Sequence, residues 1–171
     1  MSDTVTLYLL RAIHVVSGVL WVGVVVFTAA FLMPAVEAVG PAGGALMQHL
    51  VRVQRLPFWI LGSMLLTVFS GITLYWHDSA GFQSAWLASG PGRVFGLGGA
   101  LGITAGLVGM VVNAPTARRL GQIAAEAAGQ PTPDQAAEMQ RLQGRLRRVG
   151  NALAVLVLLA TLCMAVARYV P

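Results

Sequence analysis

Apolar residues are concentrated in four long stretches that are separated by shorter and more polar segments. Each stretch holds at least about 20 residues, the length of helix needed to cross the ~30 Å hydrocarbon core of a membrane. Because lipid offers the backbone no hydrogen-bond partners, only helices or a closed barrel can span it. The pattern therefore predicts an all-α, integral membrane four-helix bundle with spans at about 7–33, 57–76, 93–114 and 151–170.

Prolines mark the expected ends of these spans. Pro34 and Pro115 follow the first and third apolar stretches, so the first and third helices are predicted to stop there. Pro57 is a favourable first residue for the second helix.

The connection between the third and fourth stretches, about residues 116–150, is charged and amphipathic. It contains the break "AAGQPTPD", followed by residues typical of an N-cap, a first helical position and a capping-box partner: Thr132, Pro133 and Gln135. A helix that begins there is predicted to run directly into the fourth span. The whole chain is then a single transmembrane domain with a cytoplasmic extension.

Composition and charge agree with a membrane protein. The chain is 57% hydrophobic and 10% charged, whereas soluble domains carry about 25% charged residues. All eleven basic residues are arginines; eight lie in the first and third connections, and Arg11, Arg93 and Arg168 lie towards the other side. This asymmetry predicts a multi-pass protein of the bacterial inner membrane with both termini outside. The arginines flank apolar segments, so the net positive charge does not indicate nucleic-acid binding.

The first stretch contains polar residues inside an apolar run, "LLRAIHVVSGVLWVG". Arg11, His14, Gly18 and Trp21 recur at intervals of three and four, so they share one face of the helix. His14 lies about 10 Å inside the outer end of the span, and an ionisable residue at that depth indicates a functional site. The alternatives are a haem, copper or zinc ligand, a proton-handling group, or a histidine that only hydrogen-bonds a neighbouring helix.

Other residues could complete a metal site. Cys163 and Met164 lie at about the depth of His14, and their sulfur atoms suit copper(I). His77, at the outer end of the second span, is a further candidate ligand. His49 beside Met47 suggests either a copper relay or an interfacial helix. Core packing is the alternative for Met164, and a histidine at the membrane interface is the alternative for His77.

Arg11, Arg93 and Arg168 come from three different helices and are expected at the same outer level. Guanidinium groups bind carboxylates bidentately, so these arginines could hold the propionates of a haem whose iron lies near His14. The alternative is that they extend to lipid phosphates. Glycines spaced by four in the third span predict close helix packing or a flat slot for a macrocycle: Gly98, Gly102 and Gly106.

Motifs of soluble enzymes are not found. The sequence has no nucleotide-binding loop and no carboxylate inside a predicted span, which argues against a proton-driven transporter of the carboxylate type. Whether the protein is an enzyme stays open.

The segment "RAIHVVSGVLWVGVVVF" resembles the first helix of the CopD-like membrane domain, where a histidine is followed seven residues later by tryptophan and then by glycine. His14, Trp21 and Gly23 match that pattern. The chain also looks like the HemJ family of four-helix protoporphyrinogen oxidases, in which the first-helix histidine is regarded as a haem ligand. The resemblance implies a ligand role for His14 and packing roles for Trp21 and Gly23. HemJ proteins use a lysine in their second helix, and this chain has no lysine.

The leading prediction is a small membrane protein that binds a redox cofactor, b-type haem, near the outer leaflet. His14 would be an axial ligand, and quinone or a periplasmic redox partner would exchange electrons with it; haem-dependent oxidation is the related possibility. One alternative is copper binding or translocation through His14, Met164 and Cys163. Another is a cofactor-free accessory subunit of a homo-oligomer or a larger membrane complex.

Overall fold

The computed structural model describes residues 2–127 and 129–171, and the described residues are almost entirely helical. The elements are, in chain order, α1 (Ser2–Phe27), a first π turn (Thr28–Leu32), α2 (Met33–Ala38), α3 (Pro41–Arg52), α4 (Leu56–Asp78), α5 (Ser84–Leu87), α6 (Gly90–Val108), a second π turn (Gly109–Asn113), α7 (Ala114–Glu126), α8 (Pro133–Val166) and a short 3-10 turn (Ala167–Tyr169).

Four helical runs are long and apolar enough to cross a membrane, which confirms the predicted all-α membrane bundle and a multi-pass chain. Their bounds are Thr4–Ala38, Leu56–Asp78, Gly90–Glu126 and Pro133–Tyr169. Large apolar side chains cover the outside of the bundle; Val16 and Val111, for example, are 70% and 71% exposed. Such a surface is stable in lipid and not in water.

The helices pack mainly as two antiparallel pairs, α1 with α4 and α6 with α8, and smaller contacts join α1 to α8 and α4 to α6. All four contribute to one buried core cluster, which contains Trp21, Met64, Ala105, Leu153 and Val157. The first described residues of α1, the C-terminal residues and the α4–α6 connection lie at one end of the bundle, called here the termini end. The opposite end, which carries most of the arginines, is called the arginine-rich end.

The predicted stops at Pro34 and Pro115 are wrong, because the helical runs continue to Ala38 and Glu126. A π turn precedes each proline. In an ordinary α-helix a proline ring clashes with the carbonyl four residues earlier and leaves that carbonyl without its N–H donor. The wider π turn shifts the hydrogen bonds to a five-residue spacing, seen from the Met33 N–H to the Thr28 carbonyl. The proline can then be accommodated without ending the helix.

At the arginine-rich end, α7 and the first part of α8 form an antiparallel hairpin. Ile123 and Leu142 are buried in it. Helix α8 has 34 residues, or about 51 Å, so roughly 20 Å of it extends beyond a ~30 Å hydrocarbon core. The predicted capping box is confirmed: Thr132 Oγ1 accepts from the Gln135 N–H, and Gln135 Oε1 accepts from the Thr132 N–H, at 3.3 and 3.0 Å.

Candidate functional site

The face of α1 that carries His14 is directed into the bundle, as its spacing predicts. Trp21 is 5% exposed, and His14 is half-buried, whereas Val16 and Val19 on the opposite side are 70% and 68% exposed. His14 therefore lies at a helix–helix contact and not against lipid alone.

The His14 ring is held by α4. Its Nδ1 lies 2.8 Å from the Thr67 carbonyl oxygen and 3.3 Å from Ser70 Oγ. A carbonyl only accepts, and the Ser70 hydroxyl already donates to the Leu66 carbonyl, so Nδ1 carries the proton. In the neutral ring the lone pair is then on Nε2. Nε2 makes no hydrogen bond with any residue that the structure describes, which leaves it available as a ligand.

The residues around His14 form a polar contact between α1 and α4, called here the His14 seam: His14, Ser17, Thr67 and Ser70. The Thr67 hydroxyl shares its single proton between Ser17 Oγ, at 2.9 Å, and the Ser63 carbonyl oxygen, at 2.7 Å, and the Ser17 and Ser70 side chains are buried. Gly71 of α4 lies directly against the His14 ring, since a Cβ at that position would lie 2.7 Å from His14 Cε1. The ring can rest on α4 because Gly71 has no side chain.

Sequence reasoning missed Thr67, Ser70 and Gly71, although a signal was present. Ser63, Thr67 and Ser70 are spaced by four and then by three residues along the second apolar stretch, and Gly71 follows directly. This spacing places them on one face of the helix. A stripe of small and hydroxyl-bearing residues is typical of a helix contact inside a membrane. What the stripe does not reveal is that α1 is the helix it contacts.

The glycine stripe of α6 divides into two kinds of position. A Cβ at Gly98 would lie 2.9 Å from Cys163 Cβ, and a Cβ at Gly106 would lie 2.9 Å from Met64 Sδ. Both glycines therefore permit close packing. At Gly102 and at the neighbouring Gly99, an added Cβ would meet no atom within 4 Å. These two half-buried positions leave open space beside the helix.

The open positions lie close to the depth of His14. The contact of Gly106 with Met64 fixes the register of the antiparallel α6 and α4. Gly71 is seven residues after Met64, and Gly99 is seven residues before Gly106, so both lie about 10 Å nearer the termini end. Gly99 is therefore level with Gly71, on which the His14 ring rests. The same layer contains Cys163, through its contact with Gly98.

The sulfur-containing candidates pack against α6. The Cys163 Cβ and the Met164 Cε contact α6 at Gly98, whereas His14 contacts α4. The described residues contain no cluster of three or more His, Cys, Asp or Glu side chains arranged to hold a metal ion. Cys163 and Met164 are therefore level with His14, but their described contacts are with α6.

Two of the three predicted arginines meet at the termini end. Arg11 and Arg168 line one open cleft of about 420 Å³, together with Asp78 and the apolar side chains of Trp86, Pro91 and Phe95. The Arg11 Nη2 lies 3.6 Å from Asp78 Oδ1. The cleft thus combines two cations, one anion and an aromatic wall next to the His14 seam.

The remaining candidates lie elsewhere. Arg93 is exposed and is not among the residues that line the cleft. The His77 ring is 50% exposed and lies 3.6 Å from the Asp78 carboxylate at the end of α4. Trp21 packs in the core two turns deeper than His14, and His49 is exposed on α3.

Comparison of the sequence with protein-family models, with curated proteins and with solved structures finds no match. The candidate site consists of one anchored histidine, one open glycine surface at its depth, and one cleft with two arginines.

Proposed function

We propose that the protein binds b-type haem in the half of the membrane nearest the termini end, with His14 as an axial ligand, and takes part in electron transfer. The observation that carries this proposal is the hydrogen bond from His14 Nδ1 to the Thr67 carbonyl. Metal-ligating histidines characteristically donate their other ring N–H to a carbonyl or carboxylate, which fixes the tautomer and the orientation of the ring.

The open glycine surface at the depth of His14 is compatible with a flat macrocycle. Porphyrin binding requires helix surface that is free of side chains, and a Cβ at Gly99 or Gly102 would project into open space. These glycines are on α6, whose contact with α4 is small compared with its contact with α8. When bound, haem would supply a one-electron couple whose potential is set by its axial ligand and surroundings.

Arg11 and Arg168 would hold the propionates. Arg11 is three residues from His14, about 4.5 Å along the helix, and both arginines line the same cleft. Asp78 restrains Arg11 from one side, which leaves further guanidinium donors for a carboxylate. Trp86 and Phe95 offer an apolar wall to the ring edge. Quinone or a periplasmic redox protein would be the electron partner, and the termini end would face outside.

The direct test is the absorption spectrum of the protein purified from cells supplied with haem. We expect sharp reduced haem bands after dithionite addition, and we expect His14→Ala to lose them. His49→Ala is the matched control, because His49 is exposed on a different helix and its removal should leave the bands unchanged.

Metal analysis of the same sample distinguishes the other functions. A colourless protein that carries stoichiometric copper would contradict the haem proposal and favour copper binding. Neither haem nor metal under these conditions would favour an accessory subunit of a larger complex. Retention of the haem bands in His14→Ala would show that another residue is the ligand.

A further inference from the structure

A group of exposed arginines lies at the arginine-rich end, at the base of the hairpin and at the start of α4. This group is called here the arginine belt, and its members are Arg52, Arg55, Arg118, Arg119, Arg145 and Arg148. Arg52 and Arg55 immediately precede α4, so they lie where that span begins.

The hairpin arginines share one level. A Cβ at Gly109 would lie 3.9 Å from Leu153 Cδ1, which fixes the register of α6 and α7 against α8. Continued along the antiparallel pair, this register sets Arg118 opposite residue 144. Arg119 and Arg145 are then within a single turn of that level, and Arg148 lies about one turn nearer the core.

The belt has no acidic partner among the described residues. Two other arginines at this end do form ion pairs, Arg147 with Glu37 and Arg141 with Glu138, each at 3.7 Å. The ion pairs of the described residues include none of the six belt members. One contact is local: Arg148 Nε donates to the Gly144 carbonyl. The belt therefore presents guanidinium groups that are free to bind an external anion.

The charge changes sign along the hairpin. Beyond the belt, its tip carries three carboxylates and one arginine: Glu126, Asp134, Glu138 and Arg141. A soluble acidic protein that approached from the aqueous side would meet this acidic tip first. A flat anionic surface located at the base of the hairpin would meet the belt, where the carboxylate of Glu37 is already paired with Arg147.

We propose that the arginine belt binds the phosphate groups of anionic phospholipids in the leaflet at the arginine-rich end. Guanidinium forms paired, charge-assisted hydrogen bonds with phosphate oxygens, and basic residues next to a span are attracted to anionic lipid over about one Debye length. The positive-inside rule accounts for basic residues on one side of the membrane. It does not account for their separation from the three carboxylates at the hairpin tip, which the lipid proposal explains. This inference is independent of the cofactor, since the belt is at the opposite end from His14.

The test compares the full-length protein in nanodiscs of phosphatidylcholine with the protein in nanodiscs that also contain phosphatidylglycerol. We expect phosphatidylglycerol to raise the melting temperature, and added salt to weaken that effect. The combined variant Arg118→Gln, Arg119→Gln and Arg145→Gln should lose more than half of the increase. Loss of these arginines could change the orientation in which the protein inserts into the membrane of the cell. This does not affect the comparison, because both leaflets of a nanodisc have the same lipid composition.

Arg141→Gln is the matched control, because it removes one charge from the ion-paired tip and should keep the full increase. Mass spectrometry of lipids that remain bound gives a second readout that does not depend on unfolding, and the combined variant should retain fewer phosphatidylglycerol molecules. Equal melting temperatures of the unmodified protein in both lipids would overturn the proposal. So would a combined variant that behaves like the unmodified protein, or an Arg141→Gln protein that loses as much of the increase.

Discussion

The two helix pairs of the bundle are held together by different chemistry. The α1–α4 contact contains hydrogen bonds between side chains and to backbone, centred on His14 and Thr67. The α6–α8 contact depends on close approach, with Gly98 packed against Cys163. Both are recognised means of helix association in lipid, where the hydrophobic effect does not drive helices together. The difference indicates that the α6–α8 pair has a structural role, whereas the α1–α4 pair orients His14.

The largest expected effect is at the α6–α8 contact. Gly98→Ala would place a methyl group 2.9 Å from Cys163 Cβ and 3.2 Å from the Ala160 carbonyl. Because the Cβ and the backbone oxygen cannot rotate away, we expect destabilisation of about 2 kcal/mol, measured by denaturation in mild detergent. Gly99→Ala is the control on the adjacent residue, where space is open, and it should be neutral or slightly stabilising. Equal losses in both variants would contradict the packing difference.

The next effect is on the α1–α4 contact. Gly71→Ala would force its methyl group against His14 Cε1, so the ring must turn away from the Thr67 carbonyl. Because one hydrogen bond to a partly buried ring is lost, we expect about 1 kcal/mol of destabilisation together with loss of the haem spectrum. Gly62→Ala, on the same helix with no atom near its Cβ, should retain both. A haem spectrum that survives Gly71→Ala would separate His14 orientation from cofactor binding.

A smaller effect is expected from the hydroxyl pair of the His14 seam. Ser17→Ala and Thr67→Val each remove the hydrogen bond between these side chains. In a double-mutant cycle we expect a coupling free energy of about 0.6 kcal/mol, the usual size for such bonds in membranes. Coupling near zero would mean that the helix pair is held by packing alone.

The last prediction concerns cofactor binding more than stability, and it is made at the open part of the glycine stripe. Gly102→Leu fills space that no described atom occupies, so stability should change by less than about 1 kcal/mol. Under the proposed function the leucine would obstruct the macrocycle, and the purified protein should contain little haem. Gly23→Leu, which also meets open space but on the exposed side of α1, should bind haem normally. If Gly102→Leu retains haem, the cofactor does not use this surface.

Sequence patterns predict the parts of this molecule that depend on one helix at a time. Hydropathy locates the four spans, helical spacing identifies the inward face of α1, and local chemistry identifies the cap at Thr132. Contacts between helices are harder to predict, since they depend on how each helix is rotated about its axis. The position of Cys163 in the sequence predicts that it is level with His14, but it does not predict that Cys163 contacts α6. Likewise, the sequence places Arg93 and Arg168 at the same depth, but it does not predict that only Arg168 lines the cleft.

The pairing of a π turn with each proline has a consequence for the geometry beyond the spans. A π turn contains one residue more than an α-helical turn, and each added residue rotates everything after it by about 100° around the helix axis. The second π turn therefore sets the phase of α7 relative to α6. With this phase Ile123 is buried in the hairpin and Arg118 is exposed. Removing one residue from Gly109–Asn113 would take away the π turn that accommodates Pro115 and would rotate the arginines of α7 by about 100° around the helix axis. The extra residue therefore sets the angle between the two halves of the helical run.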